Sequence, residues 1–237
     1  DEMSFFIISD GISYKTFNTA QDHKRVGEGD TGKNTGGMGA YSPSSLINND
    51  LENKILNKII EPTLKAISEM NEKYVGFLYA GLMIKNNEPY LIEYNVRMGD
   101  PECQVILPRL KTDIVKIFKN TIDNKIKSTK IKWKNQKCMT IVLCSKGYPG
   151  KYVKNIKIDN IHKMKLSKDN FIFHAGTRLI NGDLFSNGGR VLNFTSLGRN
   201  YFKIRNKIIK SIKKLNWKAG FFRRDIGWKV IKKNANY

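Results

Sequence analysis

The chain has 237 residues, room for one large domain or two small ones, and an apolar share of 40% that excludes wholesale disorder. No run of 18 apolar residues exists to span a membrane, and no membrane partner is expected. Net charge is +21, but the excess is lysine, 33 Lys against 9 Arg beside 24 Asn and 28 Ile, as AT-rich coding gives, so we read solvated faces rather than a nucleic-acid footprint.

The chain opens Asp1-Glu2, without an initiator Met or a secretory leader, and reads as a piece of something longer. Cys103, Cys138 and Cys144 form no CxxC pair, which suits a reducing cytoplasm. With three histidines in the chain, a structural zinc site is not expected.

Residues 3–8 predict a strand, ended by the turn pair Asp10-Gly11. Residues 21–43 form a polar segment too glycine-dense for either regular element. Residues 48–70 carry Leu51, Ile55, Ile59 and Leu56, Ile60, Leu64, Ile67 at helical spacing, and Pro62 predicts a kink or break. Residues 76–84 predict a strand, Asn86-Asn87 a turn, and residues 90–95 the returning strand of a hairpin. Thr112 with Asp113 predicts the cap of a helix reaching about residue 124. The basic, aperiodic stretch 126–137 marks a domain boundary, giving domains 1–134 and 135–237. Strands at 139–144, around 171–174 and around 191–195 follow, then a basic amphipathic helix over about 200–215.

Two constellations carry chemistry. On a strand, Leu91, Glu93 and Asn95 share one face. Glu93 and Asn95 then present a carboxylate and an amide oxygen side by side, hard donors of the kind Mg²⁺ takes when phosphates and water complete its shell. The plainer alternative is two polar residues on a solvated face. Arg97 and Gly99-Asp100-Pro101-Glu102 follow at once, and an always-charged guanidinium there fits phosphate recognition. Gln21-Asp22-His23-Lys24-Arg25 opens the second constellation, with glycines through Gly39. Glycines let backbone N–H groups approach anions, and Lys24 and Arg25 add charge. The alternative is a flexible surface loop. Neither a P-loop nor a dinucleotide fingerprint occurs, and no nucleophile–base arrangement is readable. Positioning and electrostatics are the expected mechanism.

The run from Ala20 to Pro43, with Gln21-Asp22-His23-Lys24-Arg25 and Thr35-Gly36-Gly37-Met38-Gly39, resembles the signature loop of the phosphoribosylamine–glycine ligase (glycinamide ribonucleotide synthetase) family. Glu93-Tyr94-Asn95-Val96-Arg97-Met98-Gly99-Asp100-Pro101-Glu102, Leu107-Pro108-Arg109-Leu110, Ser186-Asn187-Gly188-Gly189-Arg190-Val191-Leu192 and Arg223-Arg224-Asp225-Ile226-Gly227 continue the likeness nearly end to end. The resemblance implies an α+β fold: one half of an ATP-grasp domain, an antiparallel sheet with packed helices, then a small β-rich domain. It implies a cytoplasmic C–N ligase of de novo purine synthesis that joins glycine to 5-phosphoribosylamine through a glycyl phosphate, yielding glycinamide ribonucleotide, ADP and phosphate. ATP and Mg²⁺ or Mn²⁺ are the implied cofactors. By motif match Glu93 and Asn95 would hold the metal, and Arg97 and Asp100 would be catalytic. Asp22, Arg97 and Asp100 would bind substrate; Glu2, Lys24, Arg25, Gly36 and Gly37 would bind ATP or phosphate.

The likeness covers only the family's C-terminal part. The N-terminal domain and the small ATP-grasp subdomain precede the matched region in the family, so their half of the enzyme is an expected partner and the fragment alone is expected to be inactive. Lys33 stands where the family usually has Pro. The strand before Glu93 offers no further metal ligand. Another ATP-grasp ligase, a basic nucleic-acid module and a non-catalytic remnant are the competing readings. The long glycine loop, the placement of the arginines inside the ligase-like motifs, and the intact Glu93/Asn95 pair stand against each in turn.

Overall fold

The computed structural model describes residues 1–235. In chain order they form β1 (Glu2–Asp10), β2 (Tyr14–Asp22), β3 (Arg25–Gly27), β4 (Thr31–Asn34) and β5 (Gly39–Ser42). Then come α1 (Asn49–Ile55), α2 (Glu61–Glu69), β6 (Val75–Lys85), β7 (Glu88–Asn95), α3 (Cys103–Ile106) and α4 (Ile114–Ile122). The remainder is β8 (Lys137–Ser145), β9 (Asn170–His174), β10 (Thr177–Ile180), β11 (Asp183–Ser186), β12 (Arg190–Gly198), α5 (Tyr201–Leu215), β13 (Gly220–Phe221) and α6 (Trp228–Ala235). Two compact units result: Asp1–Gln21 with Ser42–Lys134, and Asp22–Tyr41 with the residues from Asn135 onward. Residues 22–41, grouped by sequence with the first part of the chain, count in the second unit.

The first unit holds an antiparallel sheet in the order β7-β6-β1-β2. Met3, Phe5 and Ile7 alternate along β1 and meet Leu78, Ala80 and Leu82 of β6 and Leu51, Ile55 and Ile60 of the helical run in one buried cluster. Each of these side chains apart from Ala80 contributes roughly 1.5–3 kcal/mol by its burial. β2 had no assignment from sequence, because its run YKTFNTAQD is mostly polar; its Phe17 and Ala20 are buried. Asn48 caps α1, accepting from Leu51 N at 2.8 Å. The break expected at Pro62 is a π-helical turn, Leu56–Ile60, that widens the run just before the proline. Pro62 has no N–H for the fourth carbonyl back, and a wider turn just before it accommodates that.

The hairpin turns where expected. Asn86 and Asn87 both have positive φ, 51° and 59°, as a two-residue turn matching the strand twist requires. Asp113 alone caps α4, accepting from Val115 N at 2.7 Å. Thr112 instead accepts from Lys132 N through its hydroxyl.

The second unit holds the strand order β5-β8-β12-β9, with β13 on β8. Tyr201, Ile204, Ile208, Ile212 and Leu215 of α5 recur every three or four residues and bury one face in the core with Ile141, Leu143 and Phe194. Asn200 accepts from Lys203 N at 3.1 Å to start α5, and Asn216 (φ 51°) ends it. The glycine-dense segment, expected to lack regular structure, contains the β3–β4 hairpin, turned at Gly29 and Asp30 with φ 69° and 59°. The β10–β11 hairpin and α6 were also unassigned from sequence. The α+β class holds, and among the described residues no helix is long and apolar enough to cross a membrane.

Candidate functional site

β7 ends the sheet order of the first unit, so its side chains have a strand on one side only. Glu93 lies opposite Gly81 and Asn95 opposite Tyr79. Between these pairs and the rest of the hairpin the register slips: Leu82 faces Leu91, which leaves Ile92 as an extra residue. The strict alternation expected from Leu91 to Asn95 is therefore interrupted at a β-bulge. Glu93 and Asn95 lie beyond it and stay together, with Asn95 Nδ2 donating to Glu93 Oε1 at 3.2 Å. Glu93 is exposed and Asn95 half-buried. Glu2 begins β1 opposite Met83, two residues along β6 from Gly81, on the same sheet.

Arg97 is exposed and donates to the Met98 carbonyl at 3.0 Å, within its own loop. Asp100 is exposed and accepts from Gln104 Nε2 at 2.8 Å. Beneath them Glu102 is 3% exposed, and its Oε1 accepts from the Ser4 hydroxyl and the Tyr79 hydroxyl, each at 2.9 Å. This buried carboxylate ties the Arg97–Asp100 turn to β1 and β6, because two charge-assisted hydrogen bonds replace its lost hydration. Arg109, also buried, donates to Asn18 Oδ1 and Ser42 Oγ at 2.8 Å each. Sequence reasoning gave Glu102 no role. Its signal was Ser4, a lone hydroxyl inside an apolar strand.

In the second unit, Asp22, Lys24, Arg25, Gly36 and Gly37 lie on the segment that β3, β4 and β5 organise. Asp22 Oδ1 accepts from His23 N at 2.6 Å. The Lys24 carbonyl accepts from both N and Oγ1 of Thr35, at 2.8 Å each, and closes the segment across its base. Arg25 is exposed and donates to the Gly32 carbonyl at 2.8 Å, across its own hairpin. Gly36 N–H donates to the Tyr148 hydroxyl at 2.9 Å, and the Arg190 guanidinium holds the Gly36 carbonyl. A Cβ at Gly36 would fall 2.9 Å from the Arg190 guanidinium carbon, so glycine permits this approach. Gly37 is buried and its N–H donates to Thr35 Oγ1 at 3.0 Å. Both amides expected to meet phosphate are thus already donated inside the unit.

A buried arginine paired with two partly exposed carboxylates anchors this segment. Arg223, 1% exposed, forms a two-point pair with Asp225 at 2.8 Å per contact and reaches Asp30 Oδ1 at 2.9 Å and the Arg25 carbonyl at 2.9 Å. Burial is the largest influence and opposes ionisation of Asp30 and Asp225, but the hydrogen bonds and the charge of Arg223, with smaller contributions from other neighbours, together outweigh it and hold both carboxyls below the usual range. His23 is buried among them. Burial first, then the Arg223 charge, push its imidazole down to about 4. Its Nε2 accepts from Gly227 N at 3.0 Å, so Nδ1 carries the proton, and among the described residues Nδ1 has no hydrogen-bond partner.

Among the described residues no cluster of three or more His, Cys, Asp or Glu could hold a metal. Glu93 and Asn95 therefore offer a metal two protein side chains. That set fits a hard divalent cation whose remaining ligands are phosphate and water, and does not fit an all-protein cage. A half-turn of the Asn95 carboxamide exchanges its nitrogen for its oxygen beside the Glu93 carboxylate.

Residues 1–103 match the domain family described as phosphoribosylglycinamide synthetase, ATP-grasp (A) domain, and residues 138–229 match its C domain. A phosphoribosylamine–glycine ligase of Agrobacterium fabrum is 46% identical over 98% of this chain and 54% of its own length. One of Vigna unguiculata is 43% identical over 93% of this chain and 72% of its own length. The crystal structure of the Thermotoga maritima phosphoribosylamine–glycine ligase superposes with a TM-score of 0.84 at 32% identity, covering 95% of this chain and 55% of that one. The chain thus spans about half the length of most relatives it matches.

Proposed function

The chain belongs to the phosphoribosylamine–glycine ligase family, and from that premise we propose that it forms the C-terminal part of an enzyme joining glycine to 5-phosphoribosylamine at the expense of ATP. In this reading the glycine carboxylate takes a phosphoryl group from ATP. The amine of phosphoribosylamine then attacks the glycyl phosphate carbonyl and phosphate leaves, giving glycinamide ribonucleotide, ADP and phosphate in de novo purine synthesis. Three widely spaced cysteines without a CxxC pair suit work in the cytoplasm. We keep residues 1–134 as the ATP-grasp part and 135–237 as the small C-terminal domain.

One observation carries this reading: Glu93 and Asn95 lie side by side on an end strand, with Arg97 two residues beyond. Among the described residues Glu93 bonds only Asn95. We assign the pair to Mg²⁺ or Mn²⁺, which when bound would neutralise charge building on the transferred phosphoryl group. Arg97 needs only to exchange its bond to the Met98 carbonyl for a phosphate oxygen. Asp100, exposed beside it, is our choice for steering the glycine ammonium; Glu2 is our choice for a ribose hydroxyl. In the second unit we assign Asp22 to substrate, and Lys24 and Arg25 to phosphate. Gly36 and Gly37 shape their segment, and their N–H groups would have to leave Tyr148 and Thr35 to meet an anion.

These 237 residues alone are proposed to be inactive, because the relatives they match are about twice as long. The test is phosphate release from ATP, dependent on glycine and fresh phosphoribosylamine, by this chain alone and mixed with the N-terminal half of a relative. Release only in the mixture, reduced at least about 100-fold by Glu93→Gln, is expected. Release by the chain alone would overturn the fragment reading. A folded, associated mixture that stays silent would overturn the ligase reading.

A further inference from the structure

We propose that the second unit carries a binding site for a nucleoside monophosphate at the C-terminal end of α5, separate from every residue assigned above to the ligase reaction. A cavity of about 480 Å³ opens there. Its walls are aromatic, Trp217, Phe221 and Phe222, each half-buried, and its floor is the buried Leu143 and Ile212. Lys213, Lys218 and Arg224 stand exposed around the mouth. That volume is in the range of small-molecule sites, and apolar walls with a few charged groups at the rim are their usual composition.

The aromatic wall is built rather than incidental. Asn216 ends α5 in the left-handed conformation and turns the chain back. Trp217 Nε1 donates to the Lys157 carbonyl at 3.0 Å, which fixes the ring orientation. The indole packs against Gly220, where a Cβ would come within 2.5 Å of a ring carbon, so any side chain there would displace the ring. The platform is therefore in place before any ligand arrives, and the entropy of ordering it is not charged to binding.

Charge decides the ligand class. Neither Lys213 nor Lys218 has an ion-pair partner among the described residues. Glu28, the one carboxylate among the described residues lining the cavity, is held by Arg224 through Nε at 2.9 Å and the backbone N at 3.2 Å. It is neutralised and leaves two lysines unanswered. A planar π-system suits the walls and an anion suits the rim, and a base joined to one phosphate supplies both. The apolar floor closes the site behind a single base. It offers no polar group to read base identity, so purines should exceed pyrimidines by stacking alone.

The experiment is titration of AMP into the chain, followed by calorimetry and tryptophan fluorescence, with a Lys213→Glu/Lys218→Glu variant as the main comparison. Both lysines are exposed, so the variant should fold. Saturable one-to-one binding is expected, weakened at least about tenfold by the double variant and unchanged in Glu93→Gln. Adenosine, lacking the phosphate, and ribose 5-phosphate, lacking the base, should each bind at least about tenfold more weakly than AMP. No saturation below about 10 mM AMP would overturn the proposal. So would equal affinity in the double-lysine variant, or loss of binding in Glu93→Gln alone, which would put AMP on β7. An oligoribonucleotide binding far more tightly than AMP, with steep salt dependence, would overturn it in favour of a strand-binding surface. Failure of the ligase assay touches none of these outcomes.

Discussion

Two charged regions of this chain are built in opposite ways. On β7, the exposed Glu93 side chain makes one hydrogen bond among the described residues, to a neighbour two residues away, and Arg97 reaches only its own loop among them. Around residues 22–41 the polar groups are bonded inward. Arg223 answers Asp225, Asp30 and the Arg25 carbonyl; His23 takes the Gly227 amide; Gly36 is held at both its N–H and its carbonyl. Charge left to solvent on an end strand is available to a ligand. Charge consumed by internal partners is scaffold, since breaking a buried pair leaves an uncompensated ion. The two regions should therefore respond to substitution in opposite currencies, the first in activity and the second in stability.

The largest effect should come from Arg223→Ala. Two carboxylates would lose their counter-charge, one of them from a two-point pair. The expected cost is about 3–5 kcal/mol, enough to unfold a unit of ordinary stability, measured as the urea midpoint of the whole chain. A loss below about 1 kcal/mol would mean that these charges are solvated and that the contrast between the regions is false.

Acid should reach the second region through His23. Its folded value, about 4, lies below the ordinary histidine value near 6.5, so the unfolded chain binds the extra proton first. Stability is then complete above about pH 6.5 and falls as pH drops toward 4, by up to about 3 kcal/mol. Protonation would also cost the bond from Gly227 N to Nε2 and set a cation beside Arg223. Asp30 and Asp225 lose their contribution only at lower pH, because their pKa values are depressed from a carboxylate's. His23→Gln keeps an acceptor for Gly227 and cannot titrate. It should flatten the stability profile between pH 6.5 and 4, and an unchanged slope would assign the acid response elsewhere.

The same division separates what could be read from the sequence from what could not. The β6–β7 hairpin, the Asp113 cap and the α5 face were legible, because each depends on residues within a few positions: Asn86-Asn87, Asp113 with Val115, and the three-to-four spacing from Tyr201 to Leu215. The Glu93/Asn95 pair was legible for the same reason, although the bulge at Ile92 was not. Bulges answer to the partner strand, and no local pattern announces this one. Glu102 with Ser4 and Tyr79, and Arg223 with Asp30, join residues 98, 23 and 193 positions apart, so they appear only once the strands are in register. The β3–β4 hairpin hid inside glycine content, whereas β10–β11 carried an overlooked signal, the Asn181-Gly182 turn with φ 49° and 84°.

The smallest effect should be the change in stability on replacing Glu93. Its side chain's only hydrogen bond among the described residues is to Asn95, and Glu93 is exposed on an end strand. Glu93→Gln keeps the side-chain shape and an acceptor for Asn95 Nδ2, so thermal unfolding should move by less than about 0.5 kcal/mol. The same substitution is expected to remove catalysis in the mixed-half assay. Large loss of activity with no loss of stability is the signature of a side chain kept for a ligand. Loss of both together would show that Glu93 holds the hairpin, as Glu102 holds the turn behind it.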